Sequence, residues 1–316
     1  MDEYHDRFER VREEVGKAVI GYEDIVDDFL IGLMTGGHIL LEGMPGIAKT
    51  TMIKVFSKAV GLEYGRIQFT QDLLPSDITG HYYFDQRSGW FELRKGPVFA
   101  HVLMADEINR APPKTQSAMI EAMQEGQVTI EGTTLSLPDP FLVIATRNPI
   151  ETEGVYPLPE AQLDRFLIKG EMAYLPQEEE RRMLRLKSGG GEDLEVRTVE
   201  DGFGFEIRDL HREAHVSESV IDYIGDIVFE TREVDRLVLG ASPRASEHLL
   251  NASRAYAVLQ GRDYVLPDDV KEMAARVLPH RLILSIESEL EGVTAGQVLD
   301  EILEERVEAP KGDFVR

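Results

Sequence analysis

Between His38 and Thr51 the chain reads His38-Ile39-Leu40-Leu41-Glu42-Gly43-Met44-Pro45-Gly46-Ile47-Ala48-Lys49-Thr50-Thr51. A short apolar run thus enters a glycine-bearing loop that ends in Lys-Thr and opens a helix, which is the order of a phosphate-binding P-loop. Backbone N–H groups of such a loop point inward and, with the helix N-terminus, form a concave anion site. The sequence therefore places Gly43, Pro45, Gly46, Ile47, Ala48, Lys49, Thr50 and Thr51 around a nucleotide's phosphates. Lys49 is expected to reach the β- and γ-phosphates, and the Thr50 hydroxyl to meet magnesium. The usual spelling has Gly directly before the lysine, where this chain has Ala48. That residue lies where the loop enters the helix, so a negative φ is expected and a methyl group tolerated. The blander reading is a tight turn beside a solvated lysine.

A second apolar run, Val102-Leu103-Met104-Ala105, ends in Asp106-Glu107, 57 residues after Lys49. In a parallel sheet such strand ends converge on the ligand crevice. Asp106 is expected to hold magnesium through water, and Glu107 to orient and deprotonate the attacking water. A third run, Phe141–Thr146, ends in Arg147-Asn148-Pro149. Asn148 there can hold the lytic water or sense the γ-phosphate, and an Asn-Pro turn is compatible with both.

Those residues need a scaffold. Residues 1–35 carry helical spacing, with Phe8, Val11 and Val15 on one face and Ile25, Phe29, Leu30 and Leu33 on another. Strands are expected at His38–Leu41, Arg66–Phe69, Val98–Ala105, Phe141–Ala145 and from Phe166 onward, alternating with helices. That alternation implies an α/β fold with a parallel sheet covered on both sides. Residues 71–97 form a polar and aromatic insertion, and residues 126–138 a hairpin with glycine at its turn. Beyond about residue 173 only helical patterns remain, with a glycine-rich loop at Ser188–Asp193 and helix starts at Pro243 and Pro267. The boundary between an α/β domain (1–175) and a helical domain (176–316) is placed accordingly.

Composition narrows the partners. The formal net charge of −24 disfavours nucleic acid and anionic lipid. Only 10 of the 34 basic residues are lysine, a composition suited to a salt-rich cytosol. With no cysteine, disulfides and thiolate metal sites are excluded. The acidic start and the lack of a long apolar run fit a soluble cytoplasmic protein without membrane insertion.

With the three strand ends in place, the chain resembles the MoxR family of AAA+ ATPases over nearly its whole length. The resemblance rests on Gly43–Thr50, Gln68–Gly80, Gly96-Pro97-Val98-Phe99, Ala105–Ala111 and Tyr156–Phe166. It implies a P-loop AAA+ αβα sandwich followed by an all-helical lid. It also implies ATP/ADP and Mg2+ as cofactors and a homo-oligomeric ring, with a hexamer favoured. Residues 71–97 then match the helix-2 insert and 126–138 the hairpin before the sensor strand. Asn148 matches sensor 1, Arg165 the arginine finger, Arg244 sensor 2, and Val19-Ile20-Gly21 the segment that clasps adenine. Arg110 and Arg147 compete for the finger role, and Asp164 or Glu160 offers Arg165 a structural partner instead.

The resemblance implies ATP hydrolysis driving chaperone-like remodelling of a protein partner, and a partner with a von Willebrand factor A domain of the kind associated with relatives of this family. A DNA motor is disfavoured because Gly126–Phe141 holds no lysine or arginine. The ATPase subunit of a metal chelatase, and a nucleotide-gated scaffold with little turnover, remain as alternatives.

Overall fold

The structure is a computed structural model that describes residues 1–150, 154–188, 196–312 and 314. The helical spacing of the first 35 residues forms α1 (Asp2–Gly16) and α2 (Glu23–Thr35), and their seven spaced apolar residues are buried. Next come β1 (Ile39–Gly43), α3 (Lys49–Ala59) and β2 (Tyr64–Gln68). The insertion holds α4 (Pro75–Thr79), β3 (Gly80–Asp85) and β4 (Trp90–Lys95). After it follow β5 (Val102–Asp106), α5 (Pro113–Glu125), β6 (Gln127–Ile130), β7 (Thr133–Ser136), β8 (Leu142–Arg147), α6 (Glu160–Leu163) and β9 (Ile168–Met172).

The central sheet is parallel, in the order β2-β5-β8-β1-β9. Its middle strands are buried on both faces, and the period of two sorts their side chains into two cores. Ile39, Leu41, Val102, Met104, Leu142 and Ile144 pack toward α1, α2, α3 and the C-terminal helices. Leu40, Leu103, Ala105, Val143 and Ala145 pack on the other face against α5 and the insertion.

The expected strand from Val98 is shorter than its apolar run. Gly96-Pro97 starts a turn in which the Phe99 N–H donates to the Gly96 carbonyl (3.3 Å), and pairing begins only at Val102. Proline has no N–H for the ladder, and an apolar run can be buried as loop just as well as strand. The base of the insertion is pinched where Gly80 meets Gly96: a Cβ at Gly80 would stand 2.2 Å from the Arg94 carbonyl oxygen. In the β6–β7 hairpin, Glu131 and Gly132 both have positive φ, as a type I′ turn requires.

The C-terminal part contains α7 (Gln177–Ser188), α8 (Phe203–Glu206), α9 (Glu218–Glu233), β10 (Leu237–Leu239), α10 (Pro243–Leu259), α11 (Pro267–Val277), β11 (Ile283–Leu284), α12 (Ile286–Leu290) and α13 (Ala295–Glu301). Helices begin at Pro243 and Pro267 as expected, and the Ser242 hydroxyl caps α10. The region is not purely helical, because β10 and β11 pair antiparallel. Strands of three and two residues are too short to show a period. Of the expected glycine-rich loop, residues 189–193 lie outside the described residues. The lid helices share one core with α1 and α2, and Arg276 of α11 clamps the buried Asp28 of α2 at 2.8 Å.

Candidate functional site

The loop between β1 and α3 stands at the C-terminal edge of the sheet, where a parallel sheet opens its crevice. Lys49 is the first residue of α3, and its Nζ donates to the Gly43 carbonyl oxygen (2.6 Å). Thr50 is exposed on the same first turn. Ala48 contradicts the expectation of a negative φ: it sits at φ 64°, ψ 21°, in the left-handed region. For a residue with a Cβ that conformation costs about 1–2 kcal/mol. Gly46, two residues earlier, is left-handed too at φ 86°. The loop therefore keeps its glycine-like path at residue 48 and carries the strain of the methyl group.

Beside the loop opens a cleft of about 340 Å³, mostly apolar, lined by Val19, Ile20, Ile47, Tyr174, Leu175 and Met183 among others. Pro45, Gly46, Ala48 and Thr51 form its phosphate-loop wall. Of the segment expected to clasp adenine, Val19 and Ile20 line the cleft, whereas Gly21 stands behind it against Leu175. Tyr174, Leu175 and Met183 were not singled out from the sequence as binding residues. They lie more than 120 residues after the loop, so spacing carries no signal for them.

Asp106 and Glu107 sit at the end of β5, which β8 separates from β1 in the sheet. Asp106 is 9% exposed; one carboxylate oxygen accepts the Thr146 hydroxyl and the other the Arg66 guanidinium, both at 2.6 Å. That hydrogen bond is the chief cause holding Arg66 above the ordinary arginine value. Glu107 takes a left-handed φ of 55°, its N–H donates to the Thr146 hydroxyl (3.0 Å), and its carboxylate accepts the Gln68 amide (2.7 Å). Arg110 lies 3.3 Å from the same carboxylate. Thr146, Arg66 and Gln68 thus position the two acids through contacts across 39–40 residues, which leave no trace in local spacing. Asn148 is 8% exposed and its Oδ1 accepts the Ile150 N–H (3.2 Å), so it does close an Asn-Pro turn. Arg147 pairs with the buried Glu42, which also holds Lys169 at 2.9 Å. Arg110 and Arg147, the other candidates for the finger, each pair with an acid of their own chain.

Arg165 and Arg244 lie on the side of the sheet away from the loop, with Arg244 paired to Asp164, the residue next to Arg165. Leu167, just before β9, donates to the His38 carbonyl just before β1, so Arg165 lies at the N-terminal edge of the sheet. The full length of β1, about 16 Å for its five residues, separates that edge from the phosphate loop. Arg165 is not tied to Asp164 or Glu160; its Nε donates to the Ala161 carbonyl (3.2 Å), and its buried Nη1 has no acceptor among the described residues. Burial and, next, the charge of Arg244 lower its pKa. Asp164 is held by Arg244 (3.3 Å), the Ser242 hydroxyl (2.9 Å) and Arg281 (3.1 Å). Arg281 is a buried hub: it also donates to the Phe166 and Val277 carbonyls and meets His248.

The donor set of Thr50 and Asp106, hydroxyl and carboxylate oxygens, suits a hard cation such as Mg2+. No cluster of three or more acidic or histidine side chains offers a metal site elsewhere among the described residues. No helix among them is long and apolar enough to cross a membrane.

Residues 38–168 match the profile of the "ATPase family associated with various cellular activities (AAA)", and residues 229–302 that of an AAA lid domain. The chain is 44% identical to the uncharacterised protein YeaC of Bacillus subtilis, covering 96% of this chain and 95% of that one. It is 42% identical to the chaperone MoxR1 of Mycobacterium tuberculosis, covering 94% and 81% respectively. A solved structure of a candidate ATPase from Cytophaga hutchinsonii superposes with a TM-score of 0.91 at 44% identity, covering 98% of this chain and 96% of that one. The arrangement of loop, acidic strand end and lid, together with these relatives, identifies the chain as an ATPase of the MoxR family of AAA+ proteins.

Proposed function

We propose that this ATPase works as a ring in which each nucleotide site is shared between two subunits, and that it uses Mg2+-dependent hydrolysis to remodel a protein partner. One observation carries the reading: the phosphate loop and Arg165 stand at opposite edges of one sheet, farther apart than an arginine can reach. Arg165, whose buried Nη1 has no acceptor among the described residues, and Arg244, which shares Asp164 with Arg281, are suited to an anion brought by a neighbour. Lys49 and the loop N–H groups would hold the phosphates, and Val19, Ile20, Tyr174 and Met183 the adenine. Thr50 and Asp106 would hold Mg2+, which when bound would neutralise charge developing on the phosphates. Glu107 would take the proton of the attacking water, with Asn148 positioning that water by its amide.

The division at about residue 175 gives this site a moving part, since the adenine wall at Tyr174–Met183 belongs to the junction between sandwich and lid. The insertion provides a contact for a client. Phe84, Trp90 and Phe91 are exposed at 54%, 76% and 68%, with Phe84 and Phe91 packed edge to face at 5.5 Å. Exposed apolar patches of this kind mark interaction surfaces, and MoxR1 is described as a chaperone.

The reading is tested by ATP turnover against protein concentration. The rate per subunit is expected to rise with concentration, and Glu107→Gln and Arg165→Ala are each expected to lose about 10²-fold or more. A rate independent of concentration, with Arg165→Ala unimpaired, would remove the shared site.

A further inference from the structure

Strand β2 sends Arg66 and Gln68, two residues apart, to the same side, facing the end of β5. Asp106 is thereby held from two directions of different character. The Thr146 hydroxyl is buried and neutral, and donates to one oxygen. Arg66 is charged, its side chain is 44% exposed, and it covers the other oxygen. Thr146 has nowhere to go, whereas Arg66 borders solvent. The Arg66 Nη2 also donates to Gln68 Oε1 at 2.6 Å, so a second acceptor is at hand if the carboxylate is lost.

We propose that Arg66 is the counter-ion of Asp106 in the nucleotide-free chain, and that it is exchanged for the divalent cation that arrives with the nucleotide. The inference rests on the reading of Asp106 as the metal-holding carboxylate. Its physical basis is charge compensation. A carboxylate this buried needs a positive partner or a full set of hydrogen bonds, and Arg66 supplies the charge while no cation is present. Once a dication stands at the carboxylate, directly or through water, a guanidinium 2.6 Å from one of its oxygens is repelled by like charge. Part of the apparent Mg2+ requirement of this site is then the work of displacing Arg66. Removing the arginine should make the cation bind at lower concentration, whereas mere damage to the site would raise the requirement.

The test is a Mg2+ titration of N-methylanthraniloyl-ADP binding, read by fluorescence on the full chain, which needs no turnover. In Arg66→Gln the half-saturating Mg2+ concentration is expected to fall by about fivefold, the scale of a partly exposed ion pair. Arg66→Lys, which keeps the charge, should stay closer to the parent. The melting temperature of Arg66→Gln should drop in EDTA and return to the parent value with Mg2+ and ADP. An unchanged or raised Mg2+ requirement in Arg66→Gln would overturn the exchange. Asp106→Asn separates the two ideas: if it leaves the Mg2+ dependence untouched, the reading of Asp106 fails and takes the exchange with it. If Asp106→Asn shifts the dependence and Arg66→Gln does not, the exchange alone is wrong.

Discussion

Ala48 shows how a single side chain can sit in a path made for glycine. With φ at 64°, its methyl group works against the local backbone, and only the surrounding loop and helix hold it there. Ala48→Gly should therefore be neutral or stabilising by up to about 1 kcal/mol, the relief of strain offsetting the added freedom of the unfolded chain. Ala48→Val should lose about 1–2 kcal/mol or more, because a β-branched residue tolerates the left-handed region less. Urea unfolding of the three proteins checks this, and an Ala48→Gly variant less stable than Ala48→Val would contradict it. At this scale the sequence told much about what is local. Gly43–Thr51, Asp106, Glu107 and Asn148 lie where strand ends and loop order place them. What it hid are partners fixed by tertiary contact: Arg66 and Thr146 on Asp106, Gln68 on Glu107, and Arg281 on Asp164 across 117 residues.

Among the elements, the entry to β1 is fastened by a buried histidine. His38 Nε2 meets the Met123 carbonyl of α5 (2.9 Å), and Nδ1 meets the Val143 N–H of β8 (3.1 Å). A ring that donates on one side and accepts on the other must be neutral. Burial, the largest cause, pushes its pKa down to about 4. The unfolded chain titrates near the ordinary histidine value of about 6.5. Between the two values the unfolded state takes a proton that the folded state refuses. The stabilisation is thus complete above about pH 6.5 and declines as pH falls toward 4. Denaturant unfolding at pH 7.5 and 5 should show a loss on the order of 2 kcal/mol from this group. His38→Gln should lack that part of the slope, and an identical slope in both proteins would refute the assignment. The order of elements was readable because buried strands and amphipathic helices leave periodic traces. The loop start of the run at Val98 and the β10–β11 pair were not, since burial without pairing and strands of two or three residues leave none.

At the scale of the whole molecule, the proposed ring would bring together copies that each carry a net charge of −24. Their mutual repulsion is screened by salt, with a Debye length of about 10 Å at 0.1 M and about 3 Å at 1 M. Assembly, followed by sedimentation or light scattering, should therefore need less protein as potassium chloride is raised. Dissociation by salt would mean that the interface rests on ion pairs instead. The client side is tested separately. Trp90→Ser with Phe91→Ser should leave ATP turnover within about twofold of the parent, because neither residue packs in the cores, while lowering protection of an aggregating client. A matching loss of turnover would tie the hairpin to the site itself.

The central claim, a site built from two subunits, is tested most directly by mixing Glu107→Gln with Arg165→Ala, each nearly inactive alone. In a mixed ring, an Arg165→Ala subunit brings an intact loop and Glu107 to an interface where a Glu107→Gln neighbour supplies Arg165. The account predicts that turnover recovers to a substantial fraction of the parent rate on mixing. A mixture that co-assembles yet remains as inactive as its components would contradict it, and would place Arg165 outside the shared site.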